Sequence, residues 1–136
     1  MGERVLVLAQ DLIWADRLTR AVRDAGATAT VIRDETALGA ALEAAEDPPS
    51  GTPAPPPALL VDLTARAYDP FAAIGQARAA GARILAVGQH DDVEQRKRAL
   101  AAGADRVLAY RKLFEDGPRT IATWLAGVGA DPGVPA

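Results

Sequence analysis

Five short apolar runs punctuate the chain. They are Arg4-Val5-Leu6-Val7-Leu8, Thr28-Ala29-Thr30-Val31-Ile32, Leu59-Leu60-Val61-Asp62-Leu63, Arg83-Ile84-Leu85-Ala86-Val87 and Val107-Leu108-Ala109-Tyr110. Runs of this length that are nearly continuous in apolar, β-forming residues predict strands covered on both faces. Between them the apolar residues recur every three or four positions, which predicts helices. Trp14, Leu18, Ala21, Val22 and Ala25 define the first, with Asp11 as its cap and Gly26 as its stop. Leu38, Ala41, Leu42 and Ala45 define the second behind Asp34. Asp69-Pro70 opens a third that carries Phe71 and Ile74 and ends at Gly81. A fourth starts at Asp91 or Asp92, with Val93, Leu100 and Ala101 inward and Gly103 as its stop; a fifth lies near Pro118 to Ala126.

Strands alternating with helices predict an α/β domain, a parallel sheet with helices on both faces. Right-handed crossovers leave few topologies, and the common one is the flavodoxin-like, doubly wound order 2-1-3-4-5. The first and third strands are then neighbours at the switch point, where ligands bind beyond the carboxyl ends. Gln10, Asp11, Asp62, Gly88, His90, Tyr110, Arg111 and Lys112 all fall at that edge. Residues 1–128 are read as one domain. Positions 46–57, rich in proline, read as a long exposed loop that is stiff where the prolines cluster, and 129–136 as a flexible tail.

A length of 136 residues has room for one such domain. The net charge of -3 does not supply the basic field that non-specific nucleic-acid binding needs, so no direct nucleic-acid partner is expected. The chain has no cysteine, which excludes disulfides, thiolate zinc sites and cysteine nucleophiles. It has no apolar span long enough for a membrane helix and no signal-peptide pattern, so a cytoplasmic location without membrane attachment is expected. No Walker loop, HExxH or GxSxG motif occurs, and Gly127-Val128-Gly129 has no strand before it.

With these residues in place the chain resembles the receiver domains of two-component response regulators, from Arg4 to about Leu125. The segments that carry the resemblance are Arg4-Val5-Leu6-Val7-Leu8 running into an acidic loop, Leu60-Val61-Asp62-Leu63 and Ala101-Ala102-Gly103-Ala104-Asp105. It implies that Asp62 stands where the family accepts a phosphoryl group from a histidine kinase. It also implies Mg²⁺ held by an acidic pair after the first strand, a hydroxyl at the end of the fourth strand and a lysine at the end of the fifth. Here Ala9 and Gln10 stand in place of the acidic pair with Asp11 one position late, Gly88 replaces the hydroxyl, and Tyr110 replaces the lysine, with Arg111 and Lys112 next to it. A slip of one residue would restore Asp11 as a metal ligand beside Asp62 and bring Arg111 or Lys112 towards that carboxylate.

The resulting expectation is a divergent or pseudo-receiver, a stand-alone bacterial signalling domain and not an enzyme, with Mg²⁺-dependent phosphorylation of Asp62 slow or absent. It would work through a protein partner, a histidine kinase or downstream effector, with homodimerisation as a further mode. The alternatives are a working phosphoacceptor and a small-molecule or nucleotide binder at the same crevice. Each residue also has a plainer reading: Asp62 as a strand-ending polar group, Asp11 as a helix cap, His90 as a loop residue, Tyr110 as a packed strand end, and Arg96-Lys97-Arg98 as a solvated helix face.

Overall fold

A computed structural model of the chain describes residues 3–46, 57–89 and 91–127. Five strands, β1 (Arg4–Leu8), β2 (Thr28–Ile32), β3 (Ala58–Asp62), β4 (Arg83–Gly88) and β5 (Arg106–Ala109), alternate with helices α1 (Leu12–Asp24), α2 (Glu35–Glu46), α3 (Pro70–Ala79), α4 (Val93–Ala102) and α5 (Tyr110–Leu125). All strand pairs are parallel and the order is β2-β1-β3-β4-β5. The expected flavodoxin-like topology is the one found. His90, the prolines before Pro57 and the tail after Gly127 lie outside the described residues.

The two-residue period of a strand divides the core. Val5, Val7, Leu60, Leu85 and Val87 face one layer with Leu18 and Val22 of α1 and Ile121 and Trp124 of α5. Leu6, Leu8, Leu59, Val61, Ile84 and Ala86 face the other, with Leu38 and Leu42 of α2, Ile74 of α3 and Ala99 of α4. All five residues of β3 are buried. Its alternation places Ala58 and Leu60 in the α1/α5 layer, so the next residue of that face, Asp62, turns to the same side.

The caps follow the chemistry of their residues. Asp11 accepts from the Ile13 and Trp14 amides, Asp34 from Ala37, Asp69 from Phe71 and Ala72, and Asp92 from Gln95. Gly103 follows α4 with φ +127, a conformation glycine adopts without steric cost. Asp105 then fixes β5 against β4 by accepting from the Ile84 amide at 2.7 Å.

Two elements differ from the sequence expectation. In α4, Val93, Leu100 and Ala101 face outward, whereas Ala99 is fully buried. The helix packs against α3 and the sheet through small residues, and the larger apolar side chains would not fit beneath it. α5 begins at Tyr110 rather than near Pro118 and is broken at Asp116 (φ -153, ψ 31). Pro118, which lacks an amide hydrogen, stands two residues after that break and heads the second helical stretch, as the sequence suggested; the first stretch, from Tyr110, was not expected.

The central strand sets the stability. Leu60→Ala should cost about 2–5 kcal/mol in chemical denaturation. Val31→Ala, on the exposed edge strand, should cost less than about 1 kcal/mol; similar values for both would contradict this assignment of the core.

Candidate functional site

Asp62 ends β3 only 1% exposed. A carboxylate this far from water needs donors, and three converge on one of its oxygens. Oδ1 accepts from the Thr64 amide at 3.0 Å, from Thr64 Oγ1 at 2.8 Å and from the Tyr110 hydroxyl in a short contact. Thr64 Oγ1 also lies 2.7 Å from the Tyr110 hydroxyl. Two hydroxyl protons serve three contacts, so Thr64 donates either to Asp62 directly or to Tyr110. Among the described residues no hydrogen bond reaches Oδ2, the oxygen left to the cleft that Asp62 lines.

Tyr110 is held in place by its ring as well as its hydroxyl. It is 7% exposed and stacks on Trp14 with centroids 4.0 Å apart. Burial first, and then the hydrogen bond to Asp62, push its phenol well above the ordinary tyrosine range. Behind Asp62, the Tyr68 hydroxyl lies 2.9 Å from the Leu8 carbonyl and 2.8 Å from that of Asp62, bridging the ends of β1 and β3. Burial, followed by the Asp62 charge, raises this phenol too.

A cleft of about 430 Å³ opens beside the carboxylate, lined by Gln10, Asp11, Trp14, Asp62, Thr64, Ala65 and Arg66. It lies between the loops that follow β1 and β3, the switch point of this topology. Of the sequence candidates, the structure brings Gln10, Asp11 and Asp62 together there and sets Tyr110 against Asp62. Gly88, Arg111 and Lys112 do not line it. Arg111 pairs with Glu115 and Lys112 with Asp116, each one turn along α5, because the chain is already helical at Tyr110. Neither cation approaches Asp62 as the sequence suggested; a tyrosine does.

Gly88 has a different consequence. A Cβ there would stand 2.5 Å from Gln95 Oε1 and 3.1 Å from Leu63 Cδ1. The absent side chain makes room for the Gln95 carboxamide, whose Nε2 donates to the Leu63 carbonyl at 3.3 Å. The first turn of α4 is thus tied to the residue after Asp62.

The Mg²⁺ that the receiver resemblance implies does not fit these side chains. Such an ion requires near-octahedral oxygen ligands, usually from carboxylates and waters. Ala9 is apolar and buried, and Gln10 Oε1 already accepts from the Arg66 and Ala67 amides at 2.7 and 2.9 Å. Asp11 Oδ1 caps α1, and Asp62 Oδ1 is saturated. No group of three or more potential ligands from histidine, cysteine, aspartate and glutamate occurs among the described residues.

Sequence reasoning missed Thr64, Trp14, Arg66 and Gln95. The spacing Asp62-Leu63-Thr64 was a usable signal, since an aspartate often accepts from the amide and hydroxyl two residues on. The other three sit on separate loops and helices, and only the fold assembles them.

The chain's two tyrosines are Tyr68 and Tyr110. With both phenols raised, the unfolded state loses its protons first, near the ordinary value of about 10. The stability they contribute is therefore complete below that pH and lost as pH climbs beyond it. An alkaline titration should show no phenolate absorbance from the native protein until it unfolds cooperatively; a non-cooperative step from one tyrosine near pH 10 would contradict the burial of that ring. Tyr110→Phe should cost about 1–3 kcal/mol, because it strips a donor from a buried carboxylate.

No protein-family model matches the chain, and no curated protein matches it. Solved structures do. The phosphorylated cyanobacterial phytochrome response regulator RcpA superposes with a TM-score of 0.72 at 11% identity, covering 94% of this chain and 97% of its own. A two-component response regulator from Clostridium difficile gives 0.70 at 12%, covering 92% and 97%. FixJ-N gives 0.69 at 17%, covering 100% and 98%. The two-layered core, the parallel order β2-β1-β3-β4-β5 and an aspartate ending the central strand are thus set in the fold of the response-regulator receiver domains.

Proposed function

We propose that this chain is a divergent receiver, a signalling domain that acts by binding other proteins and in which Mg²⁺-dependent phosphorylation of Asp62 is slow or absent. The observation that carries the reading is the Tyr110 hydroxyl seated on Asp62 Oδ1. A phosphoryl group arriving at this carboxylate needs its spreading negative charge neutralised. A neutral phenol supplies one hydrogen bond in place of the family's lysine charge, and Gln10, already engaged by two backbone amides, supplies no charge for a metal.

The partner surface favoured is α4. Val93 and Leu100 are exposed there, as are Arg96 and Lys97, while Arg98 lies 4.0 Å over the Phe71 ring. Apolar contacts beside unpaired basic groups suit an acidic, partly apolar partner. The nearest competing reading is a working phosphoacceptor, favoured by the unbonded Oδ2 of Asp62 at the cleft. Incubation with acetyl phosphate and MgCl₂, read by intact mass, separates the two. Wild type is expected to gain no phosphoryl mass; stoichiometric gain that disappears in Asp62→Asn would establish the phosphoacceptor instead.

A further inference from the structure

We propose that the cleft beside Asp62 receives one guanidinium or ammonium side chain, preferably arginine, presented by a partner protein. The inference rests on the reading that this cleft is not a magnesium site.

Its starting point is the division of labour within the carboxylate. Oδ1 carries every side-chain hydrogen bond that Asp62 makes among the described residues, Oδ2 carries none, and the residue is 1% exposed. Oδ2 meets the cleft rather than a protein donor, and a charge-assisted N–H entering there is the group that completes the carboxylate's hydrogen bonding most strongly. The lining adds the Asp11 carboxylate and only one cation, Arg66, so the charged groups of the wall sum to a net negative charge. Arg66 is exposed, and its side chain forms no ion pair among the described residues.

Size and surroundings choose between ligands. The space of about 430 Å³ exceeds what one ion needs and is large enough to admit a side-chain head with part of its stem. A guanidinium makes its contacts through a planar fork of N–H donors and does not require six oxygen ligands. Leu12, Ile13 and Phe114, which are 63%, 64% and 61% exposed, stand beside cleft residues, the first two following Asp11 and the third packing on Trp14 at 5.6 Å. Isolated apolar groups on a surface are ordinary, but three beside one acidic cleft suit a macromolecule that covers them while its cation enters. A free amine would leave them in water.

The test uses the whole chain and the peptide acetyl-Leu-Arg-Leu-amide, with its citrulline analogue as the neutral isostere, read by amide and indole chemical shifts. Saturable shifts at Gln10, Thr64, Arg66 and the Trp14 indole are expected with the arginine peptide. Binding should weaken by at least about tenfold for the citrulline peptide and for Asp62→Asn. Equal affinity for both peptides, an unchanged Asp62→Asn, or no saturable binding would overturn the proposal. If Asp62→Asn loses its fold by circular dichroism, Asp11→Asn, which keeps the helix cap, replaces it: weakened binding supports the site and unchanged binding overturns it. A parallel MgCl₂ titration separates the two readings. Magnesium saturating the same amides would sink both, whereas failure of the peptide with no magnesium response would sink this one alone.

Discussion

A carboxylate at the end of a strand buried on both faces must find donors or give up its charge, and the site is built around that requirement. Asp62 is the last residue of β3, and strand alternation turns it towards α1 and α5. Water reaches it only at the cleft, so the Thr64 loop and the Tyr110 hydroxyl close over the other oxygen. Each charge-assisted hydrogen bond of this kind is worth about 1.5–3 kcal/mol, and the larger cost lies in removing a donor once the acid is buried. The conformations of the loop after β3 and of the start of α5 are thus coupled through a single atom.

Other residues of the switch edge are held by contacts of the same kind. Tyr110 reaches Asp62 because α5 begins at the residue after β5, and its ring is steadied by Trp14 from α1. Gln10 turns its carbonyl oxygen to the Arg66 and Ala67 amides and fixes the loop that carries Thr64. Gly88 leaves the space into which Gln95 reaches from α4. In each case a residue at the switch edge makes an internal hydrogen bond or opens room for one. The outcome is a receiver fold whose switch edge is tied by its own side chains.

The sheet supplies the rigidity on which this depends. Tyr68 spans the Leu8 and Asp62 carbonyls, so separating the ends of β1 and β3 would cost one of the two contacts its single hydroxyl proton serves. The contact braces the two strand ends that flank the cleft. A preorganised pocket of this sort favours binding because little ordering remains to be done when a partner arrives.

Strand identity and the position of Asp62 were legible in the sequence because each rests on local patterning: unbroken apolar runs, capping aspartates and glycine stops are properties of neighbouring residues, whereas strand order followed from the handedness of crossovers between parallel strands. The first stretch of α5 was not legible, since Pro118 marks only the helical stretch that follows the break at Asp116 and nothing local to Tyr110 signals that the chain is already helical there. Val93 and Leu100 misled for a related reason, because helical spacing does not reveal which face the neighbouring helix can cover with small side chains. The chemistry of the site was the least visible part. Asp62 and Thr64 lie two residues apart, but Gln10, Trp14, Gln95 and Tyr110 come from four other places in the chain. Which of them donates to which is fixed by the twist and register of the packed sheet, a property of the assembled chain and of no segment within it.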